Sequence, residues 1–257
     1  MLLKLMKHNL KFMIKPLAII YIIILISCFF SKILLQIDSS SFLYNSITSI
    51  VELVFATSLI VAFVLSFVIG IKRYYDGVLK NEGYLTNTLP VKKSSIVLAY
   101  LFSSFLIQVL TALVVLLVAF IMDPSLIVSL STVFNEIFSN LTYIGYFLLI
   151  IGIIIFAGLA SILSFFCALA LGHKHDNRKL LYSFLYGLLI YIINQIGGLI
   201  YVFTIIGGDE SLGGTELSAF EGLPLTILGP LLLLYIVYAV ACYFITEITL
   251  RKKLNLE

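Results

Sequence analysis

The chain has 257 residues, of which 61% are hydrophobic and 11% charged, with a formal net charge of +3. A soluble domain carries about 45–50% apolar and about 25% charged residues, so the composition excludes a globular protein in water and points to one in a lipid bilayer. A spanning helix needs about 20 apolar residues, which leaves room for about six or seven spans and little for a soluble domain.

At the start of the chain, Leu2, Leu3, Met6, Leu10, Met13 and Ile14 recur at helical spacing, while Lys4, Lys7, His8, Lys11 and Lys15 take the opposite face. The pattern predicts an amphipathic helix over 1–15 lying on the cytoplasmic lipid surface, its lysines near anionic headgroups. A basic tail serving topology alone is the simpler alternative. Pro16 lets the chain turn into the first span. A signal peptide fits poorly, because the following apolar run exceeds the about 7 to 15 residues of such a core and Ser27-Cys28-Phe29-Phe30 offers no small-residue cleavage site. Spans are expected at 16–36, 48–71, 96–122, 141–171, 181–206 and 226–248.

An even number of crossings puts both termini on one side. Lys4, Lys7, Lys11 and Lys15, then Lys72, Arg73, Lys80, Lys92 and Lys93, then Lys174, Arg178 and Lys179, and last Arg251, Lys252 and Lys253 all fall there, with Lys32 alone near the other face. By the positive-inside rule that side is cytoplasmic. The outer segments hold Asp38, Asp123, Glu136, Asp209, Glu210, Glu216 and Glu221. The positive charge therefore encodes topology, and nucleic acid is not an expected partner, since its binders gather basic residues on one soluble face. Cys28, Cys167 and Cys242 lie inside apolar runs and read as small core hydrophobes.

The segment 72–95 reads KRYYDGVLKNEGYLTNTLPVKKSS. It far exceeds what a reversal of direction needs. A helical piece is expected over Tyr74 to Lys80, a break at Asn81-Glu82-Gly83, and a stop at Pro90. Tyr74, Tyr75, Val78, Leu79, Tyr84, Leu85 and Leu89 put apolar surface where water is expected, which suggests either a docking surface or a helix lying on lipid.

The run Glu82-Gly83-Tyr84-Leu85-Thr86-Asn87-Thr88-Leu89-Pro90-Val91, followed by Lys92-Lys93-Ser94-Ser95 and a new span, resembles the GYLxxTLP turn of permease subunits in the type-two ABC exporter family. The layout is similar throughout: an amphipathic connecting helix, six spans, termini inside, a long first and a short second cytoplasmic loop, and a Gly-rich outer segment over 207–225. The resemblance implies an all-α integral membrane protein of a bacterial plasma membrane, whose first cytoplasmic loop fits a cleft on a separate ATPase. On that footing Tyr75, Asp76, Leu79, Glu82, Tyr84 and Leu85 carry the coupling. It further implies two ATPase copies that hold ATP and Mg, a second copy of this chain or a paralogous permease, and amphipathic cargo such as peptides. The chain has no G-x-x-x-x-G-K-[ST] phosphate cradle, so it is not expected to hydrolyse ATP or hold a cofactor itself.

Charges at membrane depth are costly and usually functional. Glu52 enters the second span from its outer end, where water or Lys32 could serve it, and a substrate or gating role is the alternative. Glu247 precedes Arg251 by one turn, which predicts a local pair. Asn194 and Gln195, beside Gly197 and Gly198, are either helix-packing residues or a polar patch on the cargo pathway. Outside the spans, the apolar residues of 124–140 recur at helical spacing and predict an amphipathic outer helix, and the Gly-rich acidic segment before the last span is either a re-entrant cap or a plain loop. His173-Lys174-His175-Asp176 lacks the further ligands and rigid frame that a metal needs. Two classes compete with the exporter: a secondary transporter, which should show repeats and embedded ionisable groups, and a membrane scaffold or immunity protein.

Overall fold

The computed structural model describes residues 2–37, 41–80, 83, 92–175, 178–208 and 225–252. Among them the chain forms seven α-helices and one π turn, with no strand. The helices are α1 (Leu2–Leu35), α2 (Phe42–Tyr74), α3 (Lys93–Met122), α4 (Ser125–Ser139), α5 (Leu141–Gly172), α6 (Lys179–Gly208) and α7 (Leu225–Lys252), and the π turn is Tyr75–Leu79. All but α4 contain a stretch long and apolar enough to cross a membrane, giving six such helices. The protein is an all-α membrane protein.

Helix α1 is uninterrupted. The turn expected at Pro16 does not occur, and the residues before it join the first span in one helix of 34 residues. Proline removes a single intrahelical hydrogen bond. Here Met13 and Leu17, both fully buried on either side of Pro16, pack with Ile107 of α3, and the helix continues through the proline. At 1.5 Å per residue the helix is about 51 Å long, against a hydrocarbon core of about 30 Å. Its N-terminal turns turn a stripe of Asn9, Met13 and Leu17 into the protein, with Lys4, Lys7, His8 and Lys11 exposed. Of the apolar face read in the sequence, Met13 is buried with Leu10 packed beside it, Leu2 and Met6 are half-buried, and Leu3 and Ile14 are exposed.

By its contacts the chain divides into two compact units, Met1–Tyr74 with Leu98–Asn135, and Tyr75–Val97 with Glu136–Glu257. In the first, Ile24 and Cys28 of α1, Ala62 of α2 and Val118 of α3 form a buried cluster. Tyr21 Oη lies 2.7 Å from Thr111 Oγ1, pairing two hydroxyls inside the helix bundle. Gly70 is required by close approach: a Cβ there would stand 2.9 Å from Ser104 Oγ.

In the second unit α5 is central, with α6 and α7 both packed on it. Gly152 admits Leu232 of α7, and Gly187 of α6 faces Ala168 of α5. The three cysteines are free and buried, as expected of small core residues. The helix that the spacing of apolar residues predicts over 124–140 forms as α4, and none of its residues is buried. Asp123 caps it, its Oδ1 accepting from the Ser125 amide at 3.0 Å and the Ser125 hydroxyl at 2.6 Å. Those bonds hold the Asp123 carboxyl below its ordinary pKa.

Candidate functional site

Of the residues that the resemblance assigns to coupling, Tyr75, Asp76 and Leu79 lie in the π turn after α2. The regular helix ends at Tyr74 and continues as the π turn, with the Lys80 amide donating to the Tyr75 carbonyl at 3.0 Å. Such wide turns insert an extra residue into a helix and recur at functional sites. Gly77, Val78 and Leu79 point inward, Leu79 being 5% exposed, whereas Tyr75 and Asp76 are half-buried and Lys80 is exposed. Leu79 therefore fills the protein's interior, and Asp76 is the charged group of the turn that solvent or a partner can reach. Glu82, Tyr84 and Leu85 lie outside the described residues, as does the rest of the GYLTNTLP run apart from Gly83.

The Tyr75 ring meets His173 edge to face, centroids 5.4 Å apart at 69°, and carries the Lys80 ammonium 5.8 Å above its centroid. His173 is 4% exposed and closes α5: its amide donates to the Leu169 carbonyl at 3.2 Å, and its Nδ1–H donates to the same oxygen at 2.9 Å. Burial holds its pKa below the ordinary value, the Leu169 bond opposing and Lys179 pushing the same way as burial. His175 stacks on Tyr182 at 4.0 Å and lies 3.2 Å from Tyr186 Oη. Both histidines are thus engaged with aromatic rings, and no cluster of metal-ligating side chains occurs among the described residues. Asp176 lies outside them.

One element at this end was not foreseen. Arg73, counted above only as a topology charge, is 3% exposed. Its Nε donates to Asn9 Oδ1 at 3.0 Å, and its guanidinium lies 4.6 Å from the Phe12 ring centroid. The N-terminal turns of α1 are thereby fastened to the end of α2. The sequence signal was Asn9, a polar residue set among Met6, Leu10 and Met13 on the inward stripe.

The other candidates are dispersed. Glu52 is exposed on α2. The Lys32 ammonium donates to the Ile121 carbonyl at the end of α3. The 20 residues separating Glu52 from Lys72 span about 30 Å, comparable to the thickness of a hydrocarbon core. Glu247 pairs with Arg251 at 2.6 Å, the expected one-turn pair. Asn194 is half-buried and Gln195 exposed, its Nε2 donating to Tyr191 Oη at 2.8 Å within the same helix. A Cβ at Gly197 or Gly198 would meet nothing within 4 Å. In the most apolar window of α6 no residue is buried, so the glycines serve no close packing among the described residues. The Gly-rich segment before the last span lies outside the described residues, except that Gly207 and Gly208 end α6 and Leu225 begins α7.

No protein-family model, curated protein or solved structure matches the chain.

Proposed function

We propose that the chain is the membrane-spanning permease subunit of an ATP-driven exporter in a bacterial plasma membrane. Energy comes from a separate ATPase, present in two copies with ATP and Mg bound. The observation that carries the reading is the segment after α2. A π turn with Asp76 on its accessible side leads directly into the NEGYLTNTLPVKKSS run that resembles the ATPase-docking turn of such permeases. Closure of the ATPase pair pushes this segment through Tyr75, Asp76, Glu82, Tyr84 and Leu85, with Leu79 anchoring it from inside, and the spans tilt from inward to outward facing. A second copy of this chain, or a paralogous permease, covers α6, where the exposed amide of Gln195 and the open glycines await a neighbour. Cargo then passes beside Asn194 and Gln195, with Glu52 at the far boundary. A pathway with so few charges suits amphipathic or hydrophobic molecules, and peptides are the class we favour.

Purification of the tagged full-length chain from its native membrane in mild detergent tests the reading. The expected result is a co-purifying soluble chain of domain size that hydrolyses ATP. Recovery of the chain alone, with no nucleotide hydrolysis, would overturn it in favour of a secondary transporter or scaffold.

A further inference from the structure

We infer that Tyr75 and His173 form a joint that ties the π turn to the C-terminal end of α5, so that a load on the segment after α2 is delivered to α5. The inference rests on the proposed function for the origin of that load. The joint itself stands on geometry within one compact unit. The π turn packs on α5. Its contact residue Tyr75 meets the His173 ring edge-on at 5.4 Å and 69°. His173 cannot swing away freely, because backbone and ring are both bonded to the Leu169 carbonyl and the side chain is buried. The opposing partner is held as well: Lys80 lies over the Tyr75 ring and its amide closes the turn on the Tyr75 carbonyl.

What lies behind the joint makes it consequential. Gly172 precedes His173 and touches the Ser183 backbone of α6 so closely that a Cβ would stand 2.4 Å from the Ser183 amide nitrogen. Displacement of the α5 end therefore moves the start of α6 with it, and α7 packs along the same helix. Tyr75 and His173 are positioning residues in this scheme. Asp76 and the residues beyond it receive the push, and the aromatic pair hands it on.

Hydrogen exchange read by mass spectrometry tests the joint in two arms, using the full-length chain in lipid nanodiscs. In the chain alone, His173→Ala and Tyr75→Leu should each speed exchange at 75–80 and 169–173 by about three- to tenfold, the scale of one aromatic edge contact. Tyr75→Phe, which keeps the ring, should leave both segments at the parental rate. Unchanged exchange in His173→Ala and Tyr75→Leu would overturn the joint whatever the protein's function. In the complex with its ATPase, ATP and orthovanadate should alter exchange in both segments of the parent and of Tyr75→Phe. In His173→Ala the change should persist at 75–80 and vanish at 169–173, a nucleotide-dependent split that a purely structural contact would not produce. Persistence at 169–173 would show that the load takes another route and overturn the inference. A response in neither segment of the parent would overturn the proposed function and, with it, the delivery of load.

Discussion

Arg73 is tightly constrained by its surroundings. A guanidinium at the end of an apolar helix ordinarily reaches outward to water or headgroups, yet this one is buried between the amide of Asn9 and the face of Phe12. Burying a charge is tolerable only when its hydrogen bonds are made. The planar head can donate sideways to Asn9 and stack on Phe12 together, which an ammonium cannot do. Arg73→Lys and Asn9→Leu should each destabilise the chain by about 1–3 kcal/mol, read as a lower midpoint of thermal unfolding in detergent. An unchanged midpoint in both would mean the contact contributes nothing. This fastening was not legible in the sequence, because its partners stand 64 residues apart and nothing local marks Arg73 as different from Lys72. The Glu247–Arg251 pair was legible, because i and i+4 on a helix are neighbours by geometry alone.

Across α5 and α6 the glycines are of two kinds. Gly172, the last residue of α5, touches the backbone and side chain of Ser183 on α6, the Oγ only 2.0 Å from where a Cβ would be. Gly197 and Gly198 touch nothing. Gly172→Ala should therefore cost about 3 kcal/mol or more, since backbone must move, while Gly197→Ala should stay within about 0.5 kcal/mol in a solubilised monomer. A parallel measurement of unfolding midpoints separates them, and equal effects would contradict the packing described. The six apolar helices could be read from hydropathy because an unbroken apolar run of about 20 residues satisfies its own backbone in hydrocarbon as a helix, whereas barrel strands are shorter and alternate. The continuity of α1 could not, because Pro16 signals a break and only the buried neighbours Met13 and Leu17 override it. The helical piece after α2 was foreseen, but its π form and the inward burial of Leu79 were not, since no local pattern in the sequence displays either.

Taken whole, the described residues hold six helices long and apolar enough to cross a membrane, and the basic residues cluster in sequence beside the span ends, the loop over 72–95 being the longest of those segments. The proposed function requires that loop to be the place where a separate ATPase exerts force. Asp76 and Glu82 are its two acidic residues, so reversing them should repel a partner that the native charges attract. The most direct measurement compares parent, Asp76→Lys and Glu82→Lys, each purified full length with whatever ATPase it retains. The account predicts that both variants keep the parental unfolding midpoint yet lose at least about tenfold in retained ATPase, the scale of a disrupted interfacial charge pair. Retention of ATPase and of its hydrolysis rate by both variants would contradict it.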